Sequence, residues 1–168
     1  GSYDENGTPN AMNAAWGGIY DTNQVMVCLA HEHKTTENIK KTGAFTVSPA
    51  TADAIVECDY VGIVSGNKVP DKLSRAGLTV KKAQSVNAPI IEQLPVALEC
   101  ELVSYDEESC YMVGRIVNVS AVNDVLDAEG NISLWKVKPV VYDPISHDYL
   151  AVGDKVADAF VVGKRLKG

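Results

Sequence analysis

Two short segments carry most of the residues that can do chemistry. The first, Asn10-Ala11-Met12-Asn13-Ala14-Ala15-Trp16-Gly17-Gly18, combines small side chains with two carboxamides and an indole. Small residues let a flat ligand approach the backbone, and the amides with nearby backbone N–H groups supply hydrogen bonds. A core strand that buries Trp16 accounts equally well for the same composition. The second segment is His31-Glu32-His33-Lys34-Thr35-Thr36-Glu37-Asn38. It sets a Lys and two hydroxyls at a helix start, where unpaired N–H groups and the helix dipole favour an anion. Taken alone, this segment is better explained as a plain N-cap with a solvated face.

Other chemistries find less support. Cys28, His31 and His33 match no standard zinc spacing, and a strand end would splay their side chains to opposite faces. His147 stands alone in a turn and reads as solvated. The chain has no G-x-S-x-G elbow, no G-x-G-x-x-G and no Walker sequence, which removes the commonest hydrolase, dinucleotide-fold and NTPase readings.

The elements that must position these segments read as short strands and short helices. Asp4 to Pro9 is a hairpin turn built on Asn6-Gly7, and part of its first arm is expected to precede Gly1. Ala11 to Tyr20 is a strand whose Gly17-Gly18 marks a weakened end or a close approach by a ligand or another backbone. Val25 to Ala30 is a second strand. The Thr residues before Glu37, with Gly43 at the far end, frame a short helix, and Ala44 to Ser48 returns to strand. Thr51 to Val64 has helical spacing, Asp71 to Gly77 is a short helix, and Ala88 to Pro95 is a connector bracketed by prolines. Val96 to Tyr105 and Cys110 to Val119 form the clearest hairpin, turned at Asp106 to Ser109. Asp124 to Gly130 is a turn and Ile132 to Val137 a short helix or extended piece. Val140 to Pro144 and Asp148 to Gly153 form a last strand pair. Strands this numerous must close on themselves or be covered, which suggests one mainly β domain, a barrel with helical insertions, over residues 1–168.

Bulk properties narrow the class. At 168 residues, 46% hydrophobic and 22% charged, the chain is an ordinary globular domain. A net charge of −7 argues against nucleic acid as the main partner. No apolar run approaches the ~20 residues that span a bilayer. The four cysteines form no CxxC pair, which argues against a zinc ribbon or a thioredoxin-type redox pair, and with no secretory signal in the sequence reduced thiols in a cytoplasmic setting are expected.

Taken in order, these segments resemble the flavin reductase-like family, and its flavoredoxin branch most. The match runs through Gly-Thr-Pro-Asn10-Ala-Met12-Asn13-Ala-Ala-Trp16 after an Asp-Glu-Asn-Gly turn, then Val-Met-Val-Cys-Leu. Lys34-Thr-Thr36-Glu-Asn38-Ile39 leads into Thr42-Gly43-Ala-Phe45-Thr-Val47. Asp71-Lys72-Leu73, Ala76-Gly77-Leu78, Ala88-Pro89-Ile90, Leu98-Glu99-Cys100 and Val113-Gly114 follow in family order. The resemblance implies a Greek-key, antiparallel, FMN-binding split β-barrel that works as a homodimer with FMN near the interface. It assigns Asn10, Met12, Asn13, Ala14, Ala15 and Trp16 to the isoalloxazine and ribityl chain. Lys34 and Thr36, with His31, Thr35 and Asn38, would hold the phosphate, and Lys72 would reach the flavin from a following loop. It implies hydride or electron transfer through the flavin, with NAD(P)H or a redox protein as partner. A flavin or haem module for storage, sensing or transfer is the alternative. Two departures stand out: Ser109-Cys110-Tyr111 replaces a strand that often carries His, and Lys34 replaces the usual Arg, losing its bidentate fork.

Overall fold

The first turn is held by one carboxylate. Asp4 Oδ1 accepts from the backbone N–H groups of Asn6 (2.9 Å) and Thr8 (2.8 Å), with Gly7 in the left-handed region. This joins β1 (Ser2–Tyr3) to β2 (Pro9–Asn10) as an antiparallel pair, so the expected hairpin is present. The structure, a computed structural model, describes residues 1–167.

After β2 the chain departs from the expected strand over Ala11 to Tyr20. Residues 11–16 are irregular, and β3 covers only Gly17–Asp21. The glycines therefore open the strand instead of weakening its end. The close approach that Gly17 permits is to another backbone: a Cβ there would stand 2.9 Å from Met26 O in β4 (Gln24–Cys28), whereas Gly18 faces open space. Helix α1 (Lys34–Thr42) follows, ended by Gly43 at φ 72, whose N–H caps Ile39 O as its sequence position predicts. Its N-cap, however, is His33 and not a Thr, with no side-chain capping bond; Thr35 and Thr36 lie inside the first turn.

Strand β5 (Ala44–Val47) leads through a 3₁₀ turn at Ala52–Ala54 to α2 (Ile55–Ile63) and α3 (Lys72–Arg75). The proline-bracketed connector turns out to contain β7 (Pro89–Ile91), which pairs with β6 (Val80–Lys82). Pro89 sits at the first residue of a short strand, where a missing N–H is tolerated. Strands β8 (Val96–Tyr105) and β9 (Tyr111–Ala121) form the long hairpin read from the alternation. A 3₁₀ turn at Asn123–Val125, α4 (Leu134–Val137) and the hairpin of β10 (Val140–Asp143) with β11 (Asp148–Ala151) complete the regular structure, before a last 3₁₀ turn at Val162–Leu166.

The main sheet has the order β3-β4-β9-β8-β5, antiparallel throughout. The fold class is thus mainly β with short helices. Among the described residues the hydrogen-bonded ladders do not join into one closed barrel. One core lies under the sheet, where Val25, Leu29, Phe45, Cys100 and Met112 meet Ile39 of α1. A second lies between α2, α3 and β7, built on Cys58, Val61, Leu73, Leu78 and Ile91. Residues 10–16 run between the two: Ala11 packs into the second core and Met12 against the first. No helix of the described residues is long and apolar enough to cross a membrane.

Candidate functional site

The start of α1 is where free donors collect. The first intrahelical bond is Glu37 N–H to His33 O (3.1 Å), so the backbone N–H groups of Lys34, Thr35 and Thr36 precede the ladder and have no capping side chain. Such an end favours an anion through both its N–H groups and its dipole. Lys34 adds a cation there, half-buried, with its Nζ 3.4 Å from Glu37 Oε2. Thr35 Oγ1 accepts from Asn10 Nδ2 (2.7 Å), which ties β2 to the helix start. Thr36 is fully buried and its hydroxyl donates to Ala30 O (2.8 Å), stiffening the loop into the helix. Its one proton therefore faces inward.

An open cleft of about 260 Å³ lies beside Lys34 and Asn38 of α1, bordered also by Asn10, by the carboxylate of Asp4, and by Gly66 and Asn67 of the loop after α2. Asn38 is buried; its Nδ2 donates to Ser2 Oγ (3.2 Å), but its Oδ1 has no partner. A buried acceptor left without a donor costs about 1–3 kcal/mol. Gly66 is what lets the loop come this close. A Cβ there would overlap Asn10 Oδ1 and stand 3.3 Å from Lys34 Cβ.

The remaining expected residues form a second group. Ala14, Ala15 and Trp16 are exposed, Trp16 by 58%, so the alternative of a core strand burying the indole does not hold. They make an open strip of small residues beside an aromatic face. Asn13 stands at its head against α2, where a Cβ on Gly62 would be 2.9 Å from Asn13 Cβ. Lys72 is buried, and its Nζ donates to Val61 O and Val64 O, both at 2.8 Å, at the end of the same helix. Burial pushes its pKa down to about 8. A cation on C-terminal carbonyls is favourable, and here it fixes the turn on which Asn13 rests. His31 is exposed beside Glu32 (3.5 Å).

Sequence reasoning missed three contributors. Gly66 and Asn67 border the cleft, and their only signal was a Ser-Gly-Asn loop. Tyr149 joins Asn13 to Asp59 from the last hairpin: Asn13 Nδ2 donates to Tyr149 Oη (3.1 Å), which donates to Asp59 Oδ1 (2.8 Å). No local pattern marks residues that far apart.

The antiparallel fold and its sequence have known counterparts. The sequence model of the flavin reductase like domain matches residues 2–147, and the chain belongs to that family. The flavoredoxin of Desulfovibrio vulgaris (Miyazaki F) is 36% identical with a TM-score of 0.93, over 98% of this chain and 90% of that one. The flavoredoxin of Methanosarcina acetivorans is 26% identical with a TM-score of 0.88, over 98% of this chain and 89% of that one. An FMN-binding domain of a flavin reductases-like enzyme from Shewanella baltica shares the fold at 20% identity, TM-score 0.83, over 94% of this chain and 86% of that one. Two curated relatives, both uncharacterised proteins, come from Aeropyrum pernix (27% identical over 81% of this chain) and Pyrococcus abyssi (30% over 64%). The chain spans 52% and 63% of their respective lengths.

Proposed function

We propose that this chain is a split-barrel flavoprotein of the flavoredoxin type that binds FMN and serves electron or hydride transfer. The observation that carries the reading is the uncapped start of α1 at Lys34, tied through Thr35 to Asn10 at the head of residues 10–16. A phosphate suits the first and a flat ring suits the second. The donor set fits the cofactor: the N–H groups of Lys34, Thr35 and Thr36 with the Lys34 ammonium would hold the phosphate. The unpartnered Asn38 Oδ1 would take a donor such as a hydroxyl at that end. Asn13, Ala14, Ala15 and Trp16 would lie along the ring and ribityl chain. When bound, the flavin supplies the redox step and the protein tunes and orients it.

The reading includes a homodimer. Among the described residues strand β3 is an unpaired edge of the main sheet, and it carries Ile19 (91% exposed) and Tyr20 (61%) a few residues after Trp16. An edge that is both unpaired and apolar invites a second chain. A partner there would cover the strip of residues 14–16, shielding a bound ring from water.

A visible spectrum tests the reading. Purified protein, or protein mixed with FMN and desalted, is expected to show a band near ~450 nm from the oxidised ring. A colourless protein that retains no FMN overturns it. Bleaching by NADH or NADPH under argon identifies a nicotinamide donor; no bleaching by either favours a redox-protein partner. Light scattering on a sizing column checks the dimer, and a monomer removes that part of the proposal.

A further inference from the structure

The flavin reading leaves one network without a role. The Tyr149 hydroxyl has a single proton, and it goes to Asp59 Oδ1 at 2.8 Å, because a carboxylate can only accept. Toward Asn13 the same oxygen can then only accept. The Asn13 carboxamide must turn its NH₂ to Tyr149, as the 3.1 Å contact has it, and its Oδ1 the other way. Carboxamide orientation is normally ambiguous because O and N are nearly isosteric. Here it is decided by counting protons.

The parts of this corner are held from independent directions. Asp59 lies on α2, and the backbone of Gly62, one turn further on, presses against Asn13. Tyr149 is fixed by the pairing of β11 with β10, where it lies opposite Tyr142, ring centroids 5.8 Å apart. Burial pushes the Tyr149 pKa up to about 12, with the Asp59 hydrogen bond adding to the effect, so the hydroxyl keeps its proton at any working pH. Among the described residues Asn13 Oδ1 has no protein donor. It is an acceptor of fixed direction at the head of the open strip. Tyr149 lies beyond the 2–147 segment that matches the family.

We infer that Tyr149 and Asp59 are positioning residues that lock the Asn13 carboxamide with its oxygen toward the bound flavin, as the acceptor for one N–H or O–H donor of the ligand. The inference rests on the flavin reading. The candidate donors on FMN are the ring N3–H and a ribityl hydroxyl. Without Tyr149 Oη the amide is free to turn its NH₂ to the ligand, where it would meet a donor instead of offering an acceptor.

The test is a double-mutant cycle on the full chain, reading FMN affinity by fluorescence titration and the absorption spectrum of the bound flavin. Tyr149→Phe is expected to weaken FMN roughly tenfold, the size of one hydrogen bond to a positioned polar group, and to shift the flavin bands. Asn13→Ala is expected to weaken it at least as much. The combination is expected to equal Asn13→Ala alone, because Tyr149 acts only through Asn13. Tyr142→Phe, which alters packing at Tyr149 but not its hydrogen bonds, is expected to bind as the unmodified chain. Repeating the titrations with N3-methyl-FMN separates the donors: a loss in the unmodified chain but none in Asn13→Ala assigns N3–H, and full binding by the unmodified chain assigns a ribityl hydroxyl. Equal affinity in Tyr149→Phe, or losses that add in the double variant, overturns the inference while leaving the flavin reading in place. No FMN binding by the unmodified chain overturns both.

Discussion

The buried carboxylate of Glu99 and the half-open corner at Asn13 are assembled from the same kinds of group, yet one is closed and the other is not. Glu99 is completely buried in β8. Its Oε1 accepts from Asn118 Nδ2 (2.9 Å) and Ser120 Oγ (2.8 Å), and its Oε2 from Ser85 N–H (2.6 Å). Burial pushes the carboxyl upward, but the donors from Ser85, Ser120 and Asn118 outweigh it and hold it below the ordinary glutamate range. At Asn13 one amide N–H is answered by Tyr149 and the acceptor is left over. A polar knot with nothing left over pins the segment between β6 and β7 to the sheet. One with a spare acceptor has room for a further donor, which the proposed flavin would supply.

Breaking the closed knot should therefore cost the most in stability. Glu99→Ala leaves Ser85 N–H, Asn118 and Ser120 without their acceptor, and urea unfolding is expected to show a loss of about 2–4 kcal/mol. The pH dependence follows from the sign of the shift. The folded pKa lies below the unfolded one, so this contribution is present above the ordinary glutamate range, about pH 4.3, and is lost as pH falls through the folded value. Glu99→Gln should flatten that part of the acid-unfolding curve; an unchanged curve would show that Glu99 does not carry it.

A second substitution probes the same sheet without touching charge. A Cβ at Gly114 would overlap Phe45 Cζ and stand 2.7 Å from its Cε1, so Gly114→Ala should lower stability by about 1–3 kcal/mol in thermal melts. The open region should behave in the opposite way. Lys34→Ala is expected to leave the melting curve nearly unchanged and to weaken FMN by about 1–2 kcal/mol in a fluorescence titration, as loss of a charge-assisted contact does. Unchanged affinity would place the phosphate elsewhere. The smallest effect belongs to Glu101, on the same strand as Glu99 but exposed and paired with Arg115. Glu101→Gln should change stability by less than about 0.5 kcal/mol, since exposed pairs contribute little.

Glu99 and Glu101 also show how far the sequence could be read. Both stand at alternate positions of one strand, so period two assigns them the same surroundings. The 83–88 segment folds over Glu99 alone, through Ser85, and a register shift in the pairing with β9 falls between the two. The long hairpin itself was legible, because alternation over β8 and β9 is a local signal, and so was Gly43 at the end of α1. Residues 11–16 were misread as strand because Ala11 and Met12 carry strand-like apolar character, although each serves a different core. Strand β7 was hidden by the prolines that frame it. In the candidate site, the donors of α1 and the small-residue strip were visible as composition. The inward hydroxyl of Thr36, the Gly66 contact and the tyrosine behind Asn13 were not, since each depends on which distant segment arrives.

The Asn13 to Tyr149 bond spans 136 residues of sequence. Closing so long a loop carries an entropic cost that nearer contacts do not, and non-local pairings form slowly. Strands β8 and β9 can zip from their own turn, whereas the corner at Asn13 waits for the β10–β11 hairpin to arrive. Readiness to receive a ligand would then be acquired late during folding and lost early when the β10–β11 hairpin detaches, so occupancy would report on whether that hairpin is docked.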